Sequence, residues 1–178
     1  MNFELTNIDG EMEVCGHKAL FTEGNFGKGA VHTRFIVWNC PETNRQFTAD
    51  CNINLRRRTP KELLEIQYLI TQTVRCHERG RSLTSSRLAN RYESREFDVS
   101  FSIPPEWKTA MFEDTAWFPN GPHKQNGSLW TLPTNSVKHV ELIWDTEGDE
   151  PSSASMTKRL RTITGGAWRL CDTISVSN

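Results

Sequence analysis

The sequence predicts an α+β fold: an antiparallel sheet of about six or seven strands, with one long central helix and shorter helices packed on one face. Three observations lead to this prediction. Segments with a two-residue apolar period fill the first third of the chain and recur after residue 96. One segment near residue 60 has the start, face and stop signals of a helix. The chain of 178 residues is 36% apolar without a long apolar run, so no membrane-spanning segment is expected.

The first 55 residues are predicted to form antiparallel strands. Residues 11–15 and 18–22 are short strand candidates on either side of Gly16, and residues 31–38 are β-branched and aromatic. Residues 46–55 alternate strictly between apolar and polar side chains. The apolar positions are Phe47, Ala49, Cys51, Ile53 and Leu55. This period of two predicts a strand with one face in the core and the other in water.

The central helix is predicted over residues 60–79. Thr59 followed three residues later by Glu62 is a capping box, which satisfies two free backbone N–H groups at a helix start. Apolar residues then recur at helical spacing. Gly80 stands where a helix commonly ends.

A second, shorter helix is predicted over residues 82–95. Arg87, Arg91 and Arg95 are four residues apart, so on a helix they would point from one face. Residues 56–95 carry ten Lys and Arg against four Glu, a net charge of +6, whereas the whole chain has a net charge of −1. Nine of those ten cations are Arg, which makes bidentate contacts to phosphate. The candidate phosphate-binding residues are Arg56, Arg57, Arg58, Arg75, Arg79, Arg87, Arg91 and Arg95.

The last eighty residues are predicted to mix strands, short helices and loops. Residues 97–103 alternate as a strand that Pro104 ends. The other predictions here are strands at 137–144 and 168–176, short helices at 106–114 and 155–162, a structured loop at 117–135 and an acidic loop at 145–154. The chain is interpreted as a single domain, 1–178, with a β-rich part at 1–55, a helical Arg-rich element at 59–95 and a mixed part at 97–178.

Metal and cofactor binding are not predicted. Cys15, His17, Cys76 and His77 could supply four zinc ligands, but their spacing is not that of a zinc finger or knuckle. Cys76 and His77 lie within the predicted helix 60–79, where adjacent residues would also point in different directions. The five cysteines are scattered and no secretion signal begins the chain, so reduced thiols and a cytoplasmic location are expected.

Two classes of binding function remain. The first is a non-enzymatic protein that docks on nucleic acid or a nucleoprotein complex through its Arg-rich helical element. The alternative is a protein–protein inhibitor or adaptor of the kind that viruses and mobile elements encode. Its candidate interface residues, in a Trp-bearing loop and an acidic segment, are Trp117, Trp130, Asp145, Glu147, Asp149 and Glu150. An enzyme is the third hypothesis, because the sequence has no recognisable catalytic motif.

Overall fold

The computed structural model describes residues 9–26, 31–54, 60–80, 82–111, 127–133 and 140–146, and these contain nine strands and one helix. The strands are β1 (Gly10–Val14), β2 (His17–Phe26), β3 (Val31–Cys40), β4 (Arg45–Asn54), β5 (Asn90–Ser94), β6 (Val99–Ile103), β7 (Trp107–Met111), β8 (Gly127–Pro133) and β9 (Val140–Asp145). The helix, α1 (Pro60–Gln72), lies between β4 and β5 in the chain.

Seven strands form one antiparallel sheet, in the order β1-β2-β3-β4-β9-β8-β7. Strands β1 to β4 follow one another as a meander, while β5 and β6 form a separate two-stranded hairpin. In a meander, alternate turns lie at the same end of the sheet. The β1–β2 turn and the β3–β4 turn are therefore neighbours in space.

Helix α1 packs against the sheet and the hairpin, with contacts to β4, β1 and β6. Its Gln67 is fully buried, and Nε2 donates hydrogen bonds of 3.0 Å to the backbone carbonyls of Arg34 and Ala49. The core beneath includes Trp38 stacked on Phe47, with ring centroids 5.3 Å apart. Each such large apolar side chain contributes about 1.5–3 kcal/mol when it leaves water.

Strand β4 is buried on both faces over residues 45–51. Phe47 and Cys51 are in the core, as the alternation predicts, but Thr48 and Asp50 are also buried, at 0% and 4% exposure. The prediction of a water-facing side for this strand is therefore wrong. Both polar residues have interaction partners, and a short polar side chain that has a partner can be buried.

The predicted long central helix with shorter helices is wrong. The helix begins at Pro60, as its capping signal predicts, but α1 ends at Gln72 instead of residue 79. The hydroxyl of Thr73 donates to the carbonyl of Ile70 at 2.8 Å and accepts the backbone N–H of Ser102 at 2.7 Å. These bonds turn the chain toward β6. The described residues are mostly in strands, and α1 is their one helix.

The second helix is also wrong, because residues 90–94 form β5 and pair with β6. An interval of four residues fits the strand period of two as well as the helical period, so the arginine spacing could not discriminate between them. Tyr92 then stacks on Phe101 across the hairpin, with centroids 5.1 Å apart. Residues 107–111 are β7 instead of a helix, and β8 lies within the predicted loop.

The remaining predictions of secondary structure divide into two groups. The strands expected in the first 55 residues and at 97–103 are confirmed, and the strand expected at 137–144 is confirmed over the part of it that is described, where β9 begins at Val140. The helix at 155–162 and the strand at 168–176 lie outside the described residues. The assignment of the chain to a single domain stays a prediction.

Arg45, the first residue of β4, ties the hairpin and the segment after α1 to the main sheet. It is buried at 2% exposure, and its guanidinium donates to the carbonyls of Phe97 at 2.5 Å, Cys76 at 3.1 Å and Asp98 at 3.0 Å. It also lies over the ring of Phe47, 4.9 Å from the centroid. Burial lowers the pKa of Arg45, and the charge of Asp98 opposes that effect.

We expect Arg45→Met to lower the free energy of unfolding by about 3 kcal/mol or more, because three carbonyls lose a charged donor. Urea denaturation monitored by Trp fluorescence measures the change. Arg91→Met is the matched control: Arg91 is exposed on β5, and its loss should change stability by about 1 kcal/mol or less. Equal effects of the two substitutions would contradict the role given to Arg45.

Candidate metal centre

Three chain segments each bring two potential metal ligands to one end of the sheet. The β1–β2 turn supplies Cys15 and His17, the β3–β4 turn supplies Cys40 and Glu42, and the segment after α1 supplies Cys76 and His77. The two turns meet because alternate turns of a meander share one end of the sheet. The third segment reaches them because α1 ends at Gln72 and the chain turns there.

The β1–β2 turn holds Cys15 in a strained backbone conformation. Val14 pairs with His17, so Cys15 and Gly16 are the two central residues of the hairpin, with φ of 55° and 87°. Positive φ at both positions is the type I′ turn, where Asn-Gly is usual and a cysteine is costly. The cysteine is nevertheless buried, at 4% exposure. Backbone strain of this kind is concentrated at functional sites.

The β3–β4 turn places a buried thiol next to an exposed carboxylate. Cys40 ends β3 with 0% exposure, and Thr43 donates a backbone hydrogen bond of 3.3 Å to its carbonyl. The turn closes through Asn44, whose φ is 50°. Sγ of Cys40 donates to Oε2 of Glu42 at 3.7 Å, while the side chain of Glu42 is 51% exposed.

The segment after α1 is fixed by backbone hydrogen bonds. Arg75 exchanges backbone hydrogen bonds of 2.7 Å and 3.0 Å with Ser100, which attaches the segment to β6. The N–H of Cys76 then donates to Sγ of Cys15 at 3.4 Å. The carbonyl of Cys76 accepts hydrogen bonds from Arg45 and from Sγ of Cys40, at 3.1 Å and 3.6 Å. A backbone N–H that donates to a cysteine sulfur, as that of Cys76 does to Cys15, helps to orient the ligand of a metal centre.

Two overlapping groups of four ligand atoms result, and within each group all atoms lie within 4.8 Å of one another. The first, here called the inner set, is Cys15, His17, Cys76 and His77. The second, the outer set, is His17, Cys40, Glu42 and His77. In a tetrahedral zinc site the ligand atoms are about 3.3–3.8 Å apart, given bonds of about 2.0 Å to nitrogen and 2.3 Å to sulfur. Small side-chain movements would therefore close either set around one ion.

The two histidines have buried nitrogens without a hydrogen bond. Among the described residues, neither Nε2 of His17 nor Nε2 of His77 has a partner of acceptable hydrogen-bond geometry. Nε2 of His17 is 3.4 Å from Oε2 of Glu42, and the two imidazole rings are 5.1 Å apart. A buried polar atom without a partner costs about 1–3 kcal/mol, and metal coordination would remove that penalty.

The three thiols of the cluster share protons unequally. Hydrogen bonding to the Cys76 thiol lowers the pKa of Cys15 to about 6, despite its burial. The same interaction lowers the pKa of Cys40 to about 6. Hydrogen bonding with Cys15 and with Cys40, together with burial, raises the pKa of Cys76. A lowered pKa favours the thiolate form of Cys15 and Cys40, and the thiolate is the form that binds a metal.

Several of the predicted arginines lie close to this cluster, but not on a helix. Arg75, Arg91 and Arg95 line one groove of about 440 Å³, which reaches His77. Carboxylates of the same groove come from Glu78, Glu93 and Asp98. Nε of Arg91 is 3.6 Å from Glu93, so the predicted cationic face is partly neutralised.

The other candidate residues are dispersed. Arg87 pairs with Glu65 at 3.7 Å, and Arg79 is exposed. Trp130 lies on β8, opposite Glu141, and Asp145 ends β9, opposite Gln46. Arg56, Arg57, Arg58, Trp117, Glu147, Asp149 and Glu150 lie outside the described residues.

Sequence reasoning missed two of the six clustered residues and gave the others no role. Cys76 and His77 lie beyond the end of α1, so the argument that they diverge on a helix does not apply. Cys40 and Glu42 were not considered as ligands. The available signal was the pair of short motifs Cys15-Gly16-His17 and Cys40-Pro41-Glu42 at alternate turns of one meander.

No protein-family model matches the chain, and neither a curated protein nor a solved structure is significantly similar to it. Among the described residues, no helix has both the length and the apolar character needed to cross a lipid bilayer. The cytoplasmic location stays a prediction.

We expect Gly80→Ala to destabilise the cluster by a direct clash. A Cβ at Gly80 would lie 2.0 Å from Sγ of Cys15, so the substitution should lower the free energy of unfolding by about 1–3 kcal/mol. In a Cys15→Ala background the obstructing sulfur is gone, and the loss should shrink by about 1 kcal/mol or more. Urea denaturation of all four proteins in a metal chelator measures this. An undiminished loss would contradict the placement of Cys15.

Proposed function

We propose that the protein binds one Zn²⁺ ion at the inner set, and that the ion fastens the β1–β2 turn to the segment after α1. The observation that carries the proposal is the convergence of two thiols and two imidazoles, from the β1–β2 turn and the segment after α1, within 4.8 Å of one another. The strained backbone of Cys15 and the buried histidine nitrogens without partners support it independently.

Zinc is the metal that fits this donor set best. Two sulfurs and two imidazole nitrogens in the inner set make the tetrahedral combination found in structural zinc sites. Softer Cu⁺ prefers thiolates and thioethers without imidazole, while Mg²⁺ and Ca²⁺ prefer oxygen ligands. Cys76 would lose its proton when the ion binds, as metal-ligating thiols do.

The role proposed for the ion is structural. Four protein ligands leave no coordination position for a substrate. A metal that binds only the folded state stabilises it by mass action, by about 4 kcal/mol when its free concentration is a thousand times the dissociation constant. Zn²⁺ would therefore hold the β1–β2 turn and the segment after α1 together.

We expect the purified chain to contain one Zn²⁺ per molecule and Cys76→Ala to lose it, because Cys76 is a buried ligand of the inner set. Metal analysis gives the stoichiometry, and Co²⁺ substitution reports tetrahedral thiolate ligation by visible absorption. Cys51→Ala is the matched control: Cys51 is equally buried, at 0% exposure, but lies on β4 outside the cluster. It should retain the metal.

Two results would contradict the zinc proposal. One is a wild-type chain that takes up no Zn²⁺ after reduction and reconstitution. The other is an equal loss of metal in Cys76→Ala and Cys51→Ala, which would reflect general destabilisation instead of ligation.

A second candidate function is docking on nucleic acid through the arginine-lined groove. Its support is the convergence of Arg75, Arg91 and Arg95, on two different segments, in one groove of about 440 Å³. Within the described ranges, Arg95 has neither an ion pair nor a hydrogen bond through its side chain. The carboxylates in the same groove weaken a purely electrostatic attraction, so the contacts would be few and local.

If this docking occurs, Arg91→Glu combined with Arg95→Glu should weaken binding about tenfold or more and lower the salt dependence by about two phosphate contacts. Titrations with single- and double-stranded DNA and RNA at two salt concentrations measure both quantities. The control reverses Lys61 and Lys108, two exposed cations outside the groove. Equal weakening by the control, or an absence of wild-type binding at low salt, would reject the groove.

The inhibitor or adaptor hypothesis and the enzyme hypothesis gain no support from the described residues. Most candidate residues of the first lie outside them, and Trp130 and Asp145 lie on neighbouring strands of the main sheet. The clustered thiols and imidazoles are assigned to the proposed zinc site instead of to catalysis.

A further inference from the structure

The inner and outer sets share both histidines and differ only in their other two residues. In the inner set these are Cys15 and Cys76, and in the outer set they are Cys40 and Glu42. One ion cannot satisfy six ligands in tetrahedral geometry. The cluster therefore offers two adjacent coordination positions for one ion.

The two positions differ in exposure. Cys15, Cys76 and Cys40 are all buried, at 4%, 0% and 0% exposure, whereas the side chain of Glu42 is 51% exposed, so the exposed ligand belongs to the outer set. A cleft of about 530 Å³ is lined by His17 and Cys40, so solvent approaches the cluster from the outer side. The carboxylate of Glu42 is therefore the ligand of the cluster that is most accessible to an ion arriving from water.

The positions also differ in chemistry. One carboxylate oxygen of Glu42 is 3.4 Å from Nε2 of His17 and 3.7 Å from Sγ of Cys40, so it touches two other members of the outer set. A carboxylate is a hard ligand suited to a hydrated cation, while thiolates bind Zn²⁺ in its dehydrated form. The outer set has one sulfur and one carboxylate ligand, and the inner set has two sulfurs. Transfer from the outer to the inner set would therefore let the ion lose its bound water in stages.

We propose that Glu42 is an uptake ligand, which captures hydrated Zn²⁺ at the outer set and passes it through the shared histidines to the inner set. This inference rests on the proposed zinc function. Glu42 contacts the ion during transfer and not in the final state. It therefore accelerates loading and release by the same factor, without setting the equilibrium affinity.

Stopped-flow mixing of the metal-free protein with Zn²⁺, and transfer of Zn²⁺ from the loaded protein to a chelator, test this proposal. We expect Glu42→Gln to slow both rates together by about tenfold, the low end of what a local charge does to association. Glu42→His, which restores a ligand without the negative charge, should recover most of the rate. Glu11→Gln is the control, since Glu11 is an exposed carboxylate of β1 paired with Lys18.

High salt separates ligation from simple attraction. Screening removes the effect of an exposed charge, so a deficit of Glu42→Gln that persists in 1 M salt, where the Debye length is about 3 Å, supports ligation. A deficit that vanishes at high salt overturns the proposal in favour of steering.

Two further outcomes would overturn the uptake role. One is unchanged rates in Glu42→Gln. The other is faster release with a loss of affinity comparable to that of Cys76→Ala, which would make Glu42 a permanent ligand. A wild-type chain that binds no Zn²⁺ at equilibrium rejects the proposed function itself, and that result is obtained before any rate is measured.

Discussion

The hydrogen bonds from Arg45 to the carbonyls of Cys76, Phe97 and Asp98 are the constraint on which the arrangement of the other elements depends. A buried guanidinium is tolerated only when its donors are used, so the chain must bring three carbonyls to it. Asp98 adopts a φ of 52° at this point, and the ring of Phe97 lies 5.4 Å from that of Trp144 in the main sheet. The β5–β6 hairpin is thus anchored by polar and aromatic contacts at its turn.

The same carbonyl of Cys76 links this anchor to the cluster of thiols and imidazoles. Arg45 satisfies backbone oxygens, whereas Nε2 of His17 and Nε2 of His77 have no hydrogen-bond partner among the residues that the structure describes. Two kinds of polar group therefore lie at one end of the sheet. The guanidinium of Arg45 satisfies the backbone carbonyls, and an ion would satisfy the side-chain nitrogens. Because the hydrogen bonds of Arg45 require no metal, the path of the chain is fixed before any ion binds, and the ligands are preorganised.

The strands and the helix start could be predicted because their signals are local, whereas the helix end and the cluster depend on distant partners. The hydroxyl of Thr73 ends α1 by bonding across to β6, which no helical period reveals. The arginines at 91 and 95 fit helix and strand equally, because four is an even interval. Cys40 joins Cys15 only once the meander has placed alternate turns together, so the ligand spacing along the chain carries no zinc-finger pattern.

Three consecutive residues connect the two proposed functions. Arg75 lines the groove, while Cys76 and His77 belong to the inner set. Arg75 is held by a pair of backbone hydrogen bonds to Ser100, and Cys76 by the guanidinium of Arg45, and neither restraint involves a metal. Loss of an ion would therefore free the His77 side of the groove while leaving Arg75 and Arg91 in place. The groove and the cluster share residues 75–77, but each is held by its own contacts. Evidence against zinc binding therefore does not contradict nucleic-acid docking, and the converse also holds.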